Sequence, residues 1–336
     1  MTGGRVTLAL AGDTMLGRGV AATLRASPPA RLFAPELVEL LGEADLVVLN
    51  LECCISERGE PWPDPRKPFF FRGPPAAADA LAGLGVDAVT LANNHALDFG
   101  TDALLDTLAH LRRVGIAAVG AGADAAAARR PAVLEAAGVR LALVGLTDHP
   151  VAYAAAEGRP GVAYAELDGR APAWVEEAIR GAGADAVVVT PHWGPNMNPR
   201  PLPRVRRAAA ALREAGATLV AGHSAHVFQG VGDAVLFDLG DFLDDYRVDP
   251  VLRNDLGLVF LVTLDAARPT RLEAVPIALD YCHTRLAAGA DARWIAERFR
   301  AACAELGTDV VEEAGRLVVE WPAARRPSPQ RIRRAR

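Results

Sequence analysis

The chain has 336 residues, enough for one large domain or two and for a sizeable hydrophobic core. Hydrophobic residues make up 51% of it, which excludes a disordered protein. The formal net charge of −5 offers no basic surface of the kind that nucleic-acid-binding proteins use, so we expect no nucleic acid partner.

Cysteine usage and hydropathy indicate the compartment. Four cysteines in a chain of this length do not form a disulfide framework, and none has the CxxC spacing of a zinc site. The first predicted strand begins near Arg5, which leaves no room for a signal peptide. No apolar run approaches the roughly 20 residues that span a bilayer. The sequence therefore predicts a cytoplasmic protein without membrane contact and leaves its oligomeric state open.

Strand and helix patterns alternate over the first two thirds of the chain. Strands are predicted at 5–12, 45–51, 87–91, 116–119, 140–146, 186–192 and 217–221, with 133–135 forming a hairpin with 140–146. Helices are predicted at 20–25, 35–42, 76–84, 101–114, 173–182 and 204–215, and 123–130 is predicted to be a brief helical or linker segment. This alternation predicts an α/β fold with parallel strands.

The pattern changes after residue 230. Successive antiparallel strands are predicted at 233–239, 257–265 and 271–279, a helix at 291–305, and a hairpin from 310–311 and 317–320. This run indicates an α+β tail or a second sheet packed on the first. We predict a main domain at 5–281, a helix-and-hairpin extension packed on it at 282–322, and a basic flexible tail at 323–336.

A proline-rich segment, residues 55–75, interrupts the alternation. Six prolines forbid regular structure over most of it, and Trp62 and the run Phe69-Phe70-Phe71 lie within it. A long aromatic loop in a compact domain is typical of a binding or lid element. The alternative is that it only caps the core.

Short polar clusters follow five of the apolar runs. They are Gly12-Asp13, Asn50-Leu51-Glu52, Asn93-Asn94-His95, Pro191-His192-Trp193 and Gly222-His223-Ser224-Ala225-His226. A parallel sheet would bring these strand ends to one edge, where α/β folds bind their ligands. We therefore expect the clusters to form one site.

The side chains in these clusters are metal ligands by type. Aspartate, glutamate, asparagine and three histidines make a mixed oxygen and nitrogen set that suits manganese, iron or zinc. A metal held there would lower the pKa of a bound water. His95 would be free to protonate a leaving group, and Asp98 would orient His95 or cap the following helix.

The clusters, in this order, resemble the CapA family of bacterial poly-γ-glutamate capsule synthesis, within the calcineurin-like metallophosphoesterase superfamily. The segments that carry the resemblance are Gly12 to Arg18, Asn50 to Glu52, Asn93 to Gly100, His192 to Gly194 and Gly222 to Val227. It covers about residues 5–280. The resemblance implies a four-layer α/β/β/α sandwich, with two central mixed sheets flanked by helices and a metal site at the sheet edge.

The resemblance also implies roles for individual residues. Asp13, Glu52 and His226 would hold one metal; Glu52, Asn94, His192 and His223 would hold the second; and His95 would be the proton donor. Met15 stands where the superfamily has a histidine ligand, and Glu52 where it has a bridging aspartate. We therefore expect one or two divalent ions (manganese, iron or zinc).

Several further residues are candidates for binding substrate. They are Arg18, Arg72, Asn50, Asn93, Asp148, Trp193 and Asp241. The two arginines match carboxylate or phosphate in bidentate fashion, unless they are ordinary surface or salt-bridge residues. Asp241 lies in a segment that resembles a family block usually reading Ser-Leu-Gly-Asn, and it can also be read as a plain loop residue.

Together these features predict a metal-dependent hydrolase that uses activated water. The bond cleaved would be a phosphoester or an amide, including a γ-glutamyl amide. The substrate would be an anionic small molecule or oligomer. His95 would be the general acid. One alternative is a non-catalytic, polymer-binding accessory protein of poly-γ-glutamate synthesis. Another is a biosynthetic tailoring enzyme on the same scaffold.

Overall fold

The computed structural model describes residues 4–27, 31–265 and 267–321. The strands are β1 (Arg5–Thr14), β2 (Leu46–Leu51), β3 (Cys54–Ile55), β4 (Arg72–Gly73), β5 (Ala88–Thr90), β6 (Ala117–Val119), β7 (Ala121–Gly122), β8 (Ala132–Ala136), β9 (Val139–Thr147), β10 (Gly161–Val162), β11 (Ala186–His192), β12 (Leu219–Ala221), β13 (Val231–Gly232), β14 (Val235–Leu236), β15 (Asp241–Leu243), β16 (Leu256–Asp265), β17 (Arg268–Asp280), β18 (His283–Leu286), β19 (Val311–Glu313) and β20 (Arg316–Glu320). The helices are α1 (Arg18–Ala26), α2 (Pro35–Leu41), α3 (Ala76–Gly83), α4 (Gly100–Arg113), α5 (Ala125–Arg129), α6 (Ala173–Arg180), α7 (Pro203–Ala215) and α8 (Gly289–Ala304).

Two mixed sheets form the centre of the molecule. The larger has ten strands, with the path β19-β20-β17-β16-β1-β2-β5-β6, while β15 pairs with β1 and β18 with β17. The smaller has six strands in the order β13-β14-β12-β11-β9-β8. In each sheet the strands nearest the site are parallel: β1, β2 and β5 in the larger, and β9, β11 and β12 in the smaller.

Alternation of side chains along the strands produces three separate hydrophobic layers. On β1, Leu8 and Leu10 face the core between the sheets, whereas Ala9 faces the core under the helices. On β9, Leu143 faces the inner core and Val144 the opposite one. Strands that are apolar on both faces must be covered on both, which is why helices lie outside each sheet.

The helices complete a four-layer α/β/β/α sandwich. Helices α1 to α4 pack on the outer face of the large sheet, and α6 and α7 on the outer face of the small sheet. Helix α8 instead places Ile295 and Phe299 in the core between the sheets. The predicted fold class is confirmed.

Two details of the predicted topology are wrong. The segment 233–239 does not continue an antiparallel run, because β14 pairs parallel to β12 within the small sheet. The five polar clusters do not lie on one sheet edge either: three follow strands of the large sheet and two follow strands of the small one. Local hydrophobic pattern does not specify which sheet a short strand joins.

The chain after residue 281 is continuous with the large sheet. Strands β18 and β20 both pair antiparallel with β17, and β19 extends the sheet beyond β20. The predicted basic tail, 323–336, lies outside the described residues. Among the residues that the structure describes, no helix is long and apolar enough to cross a membrane.

A close backbone approach positions the end of β1. The amide of Asp13 donates to the carbonyl of Gly240 at 2.9 Å, and a Cβ added to Gly12 would overlap that same carbonyl. Only glycine fits at position 12, so this residue fixes Asp13 against the segment that leads into β15.

Gly12→Ala should therefore lower the free energy of unfolding by about 1–3 kcal/mol through overpacking. Urea denaturation of the metal-free protein would measure it. The matched control is Gly83→Ala at the end of α3, where nothing lies within 4 Å of the added methyl, and stability there should not fall. Equal stability of the two variants would contradict the close approach.

Candidate metal centre

The five polar clusters meet at the facing edges of the two sheets. Asp13 lies near the end of β1, Glu52 directly follows β2, and Asn94 and His95 follow β5. From the small sheet, His192 ends β11 and His223 follows β12, and these two residues form a parallel bridge. The predicted convergence is thus achieved by two sheets.

Two buried asparagines orient the carboxylate of Asp13. The Asn93 amide donates to Asn50 Oδ1 at 2.9 Å, and the Asn50 amide donates to Asp13 Oδ1 at 2.7 Å. The amide of Asn93 also donates to the Leu51 carbonyl, and its own oxygen accepts from the backbone of His95. Both asparagines are fully buried and support Asp13, and a contact of either with substrate stays a prediction.

Two groups of buried side chains can each hold a metal ion. One consists of Asp13, His192 and His223, and the other of Asp13, Glu52 and His226. The second is the set that the resemblance implied for one metal. Asp13 is the residue common to the two groups, whereas Glu52 was expected in that role.

The spacing of the donor atoms fits single ions. Two ligands about 2.1 Å from one zinc ion lie about 3.4 Å apart at the tetrahedral angle. His226 Nδ1 is 3.3 Å from Asp13 Oδ2 and 3.8 Å from Glu52 Oε2. His223 Nδ1 is 3.8 Å from Asp13 Oδ1, and it also shares a hydrogen bond of 2.7 Å with His192 Nδ1, which a metal ion bound to that nitrogen would replace.

Buried polar atoms without partners give a second test of fit. Among the described residues, Asp13 Oδ2, both oxygens of Glu52, Asn94 Oδ1 and His223 Nε2 are buried and make no hydrogen bond. Such atoms are rare because each costs about 1–3 kcal/mol when left unpaired. Asp13, Glu52 and His223 belong to the two groups that can hold a metal, so bound cations would give their unpaired atoms partners.

The group that contains His226 is electrostatically coupled. Burial alone would lower the pKa of His226, but the carboxylates of Asp241 and Glu52 outweigh it and raise that pKa well above its ordinary value. Burial and the charge of Asp13 raise the pKa of Glu52 well above its usual range. In the metal-free protein, therefore, His226 is cationic near neutral pH.

The group that contains His192 and His223 behaves in the opposite way. Burial lowers the pKa of His223 to about 4, although Asp13 opposes the shift. Burial and the neighbouring His223 lower the pKa of His192 well below its ordinary value. Both rings are neutral near pH 7, the form that binds metal ions.

Met15 provides no ligand. Its side chain is fully buried in the helix-side core, and its sulfur accepts a hydrogen bond from the Gly17 amide at 3.0 Å. Asp241 lies beside the group that contains His226 and accepts from His226 Nδ1 at 2.8 Å. The same nitrogen is the one nearest Asp13 and Glu52, so a metal ion bound to it would replace the hydrogen bond to Asp241.

His95 is held by a chain of charged and polar groups. Its Nδ1 is 2.7 Å from Asp98 Oδ2, and the other oxygen of Asp98 is 2.9 Å from Lys67 Nζ. The Asp98 carboxylate also accepts from the backbone of Phe71, whose ring stacks on His95 at 4.1 Å. Asp98 therefore holds His95 at Nδ1, which is one of the two roles that the sequence left open for it.

The remaining predicted substrate contacts separate into two sets. Arg18 lines a cavity beside His95 and pairs with Asp245. By contrast, Arg72 stacks on Phe99 and donates to carbonyls of its own loop, Trp193 is buried and donates to the Phe237 carbonyl, and Asp148 pairs with His149 and Arg204. The structure does not place this second set against the cavities around His95.

Sequence reasoning missed two residues of the site. Lys67, the only lysine of the chain, lies against Asp98, and no motif in the sequence indicated this contact. Tyr246 is fully buried at its hydroxyl and lies edge-on to His226, with ring centres 5.4 Å apart. The position of Lys67 inside the aromatic loop was the available signal, whereas Tyr246 had none.

Comparison with known proteins identifies the family. The bacterial capsule synthesis protein PGA_cap family matches residues 7–246. The chain belongs to this family. The predicted CapA resemblance is thereby confirmed.

Relatives in the PGA_cap family bear names from polymer biosynthesis. The probable polyglutamine synthesis accessory protein Rv0574c of Mycobacterium tuberculosis is 32% identical over 298 residues, which are 83% of this chain and 78% of that protein. The PGA biosynthesis protein CapA of Bacillus subtilis is 30% identical over 241 residues, or 70% of this chain and 62% of that protein. Among solved structures, a hypothetical protein from Thermus thermophilus covers 83% of this chain and 96% of its own, with 17% identity and a TM-score of 0.43.

The shared carboxylate predicts unequal effects of two substitutions. Asp13→Asn should abolish metal retention because it removes a ligand from both groups, whereas Glu52→Gln should leave one ion with Asp13, His192 and His223. Elemental analysis after metal loading and desalting would measure the stoichiometry. Asp79→Asn, which alters a surface pair with Arg113, is the control. Equal stoichiometry for the Asp13 and Glu52 variants would contradict the sharing of Asp13.

The two groups should also differ in proton release. Binding of a metal to His226 at pH 7 must displace its proton, whereas His192 and His223 are already neutral. Calorimetric titration of Mn²⁺ in buffers of different ionisation enthalpy should detect proton release in the wild type and little in His226→Ala. Acidification from pH 7 to 5 should weaken Mn²⁺ binding by the wild type more than by His226→Ala. An equal loss of affinity in both proteins would contradict a protonated His226.

Proposed function

We propose that the protein is a metal-dependent hydrolase that cleaves a phosphoester or amide bond, γ-glutamyl among the amides, in an anionic substrate. The observation that carries the proposal is the placement of His95. Its Nδ1 is fixed by Asp98, and its ring lies where the cavities lined by Asn94 and His226 meet. A proton donor beside two groups of metal ligands is the arrangement that hydrolysis needs.

The protein's own residues perform distinct tasks in this proposal. A bound divalent ion would lower the pKa of water and polarise a phosphoryl or carbonyl oxygen. Asp13, His192 and His223, together with Glu52 and His226, would hold the metal. His95 would donate a proton from Nε2 to the leaving group while Asp98 stabilises the charged ring.

The environment of His95 sets the strength of this acid. Burial lowers the pKa of His95 below its ordinary value, and the ion pair with Asp98 opposes the shift. A lowered pKa makes the protonated ring a stronger donor and reduces its protonated fraction near pH 7. Stacking on Phe71 and the bond to Asp98 hold the ring in one orientation.

A second candidate is a non-catalytic accessory role, in which the same site binds an anionic polymer. Two observations favour it: Met15 offers no metal ligand, and the Mycobacterium tuberculosis relative is named an accessory protein. A cytoplasmic location remains a prediction under either role.

Turnover would separate the two roles. With Mn²⁺ present, the wild type should hydrolyse at least one of phenyl phosphate, p-nitrophenyl phosphate, bis(p-nitrophenyl) phosphate or γ-glutamyl-p-nitroanilide. His95→Gln should lower kcat/KM by about 10²–10⁴-fold for phenyl phosphate and by less for p-nitrophenyl phosphate, since a good leaving group needs little protonation.

The matched control is His110→Gln, a histidine in α4 outside the site, which should leave kcat/KM unchanged. Equal losses for the two phosphate esters would exclude His95 as the general acid. An absence of turnover on every substrate, with retained metal and measurable polymer binding, would support the accessory role.

A further inference from the structure

Two cavities border His95. Lobe A, with a volume of about 670 Å³, is lined by Arg18, His226 and Tyr246 among others. Lobe B, with a volume of about 440 Å³, is lined by Trp62, Lys67, Asn94 and Tyr153 among others. Phe69, His95 and Asn196 line both lobes, so the two cavities meet at the proton donor.

Lobe B contains a fixed ammonium group. Lys67 Nζ is 2.9 Å from Asp98 Oδ1 and donates to the Asn94 carbonyl at 2.8 Å. Its side chain is 13% exposed, and Lys67 lines lobe B. An ammonium has three N–H donors, and these two acceptors engage two of them.

The surroundings of Lys67 define its orientation. The ammonium lies 5.6 Å from the ring centre of Tyr153 and 5.8 Å from that of Phe70. Trp62 packs edge-on against Tyr153 at 4.7 Å, which fixes this wall of the lobe. A cation held by two acceptors and two rings loses little further entropy when it binds an anion.

The size of lobe B indicates more than a lone ion. Small-molecule sites typically enclose about 300–1,000 Å³, and lobe B falls within this range. A group of several heavy atoms is needed to fill it. Lobe B is also lined by Asp64 and Arg66, which pair with each other. Lobe A is lined by two arginines, Arg18 and Arg247, and by two carboxylates, Asp245 and Asp249.

We infer that lobe B is an anion-binding subsite centred on Lys67. An acidic group of the substrate binds there while the reacting bond lies beside His95. The location of the reacting bond rests on the proposed function, whereas binding in lobe B does not require turnover.

Binding of acidic chains of different length and chemistry tests the inference. The probes are a six-residue γ-linked glutamate chain, linear hexaphosphate, and inorganic phosphate, titrated by calorimetry into the Mn²⁺-loaded protein. At least one chain should bind more tightly than phosphate, and the stronger of the two identifies carboxylate or phosphate as the preferred acid. Equal affinity for phosphate and both chains would overturn the inference.

The variant Lys67→Met should weaken binding of the preferred chain by about tenfold, the expected loss for one hydrogen bond to a charged group. Inorganic phosphate is expected to bind at the Mn²⁺ ions of the loaded protein, so its affinity and the metal content should stay unchanged. The matched control is Arg113→Met, which removes a cation paired with Asp79 at the surface and should bind every probe normally. A parallel loss of phosphate and chain binding would contradict a separate subsite.

Loss of Lys67 leaves the buried Asp98 without its cation and can destabilise the fold, so a measurement on the wild type is needed as well. Lys67 is the only lysine, and acylation by an amine reagent therefore reports on one side chain, with the N-terminal amine as internal reference. Bound chain should slow acylation of Lys67 relative to the reference, and phosphate should not. If bound chain protects Lys67 from acylation but no substrate is turned over, the proposed hydrolase activity is refuted and the subsite is supported. If bound chain does not protect Lys67, the subsite is refuted.

Discussion

The hydrogen-bonded series Asn93–Asn50–Asp13 is the constraint on which the rest of the site depends. It joins the ends of three parallel strands through two neutral amides and leaves the second oxygen of Asp13 without a partner. A lysine or arginine in place of Asn50 would fix the carboxylate equally well but would neutralise it. The amides orient the charge and preserve it, and a satisfied buried network of this kind is rigid.

The two metal-binding groups share Asp13 but differ in the protonation of their histidines before a metal binds. His192 and His223 are buried against each other, and burial lowers the pKa of both rings. They are therefore neutral before a metal binds, which is the form that binds metal ions. His226 is surrounded by Asp13, Glu52 and Asp241 and carries a proton. This is the group in which the superfamily would have a further histidine at the position of Met15. Here it consists of two carboxylates and His226, and His226 carries a proton when no metal is bound.

Much of this site could be read from the sequence because its ligands follow apolar strands in short motifs. The positions of Asp13, Glu52, His223 and His226 were predictable in that way. The sharing of Asp13 was not, since it depends on how two sheets face each other. The contacts of Lys67 could not be predicted either, although it lies in the aromatic loop, because its partners Asn94 and Asp98 are 27 and 31 residues further along the chain.

Each metal-binding group takes ligands from both sheets. Asp13 and Glu52 belong to the large sheet, whereas His192, His223 and His226 belong to the small sheet or directly follow one of its strands. An ion bound by either group thus connects the two halves of the sandwich across their apolar interface. Since the unfolded chain has no such site, a ligand at a thousandfold its Kd adds about 4 kcal/mol to the folded state. That energy opposes separation of the sheets. The concentration of metal would therefore determine how cooperatively the two sheets unfold and how fast their buried backbone amides exchange hydrogen with water.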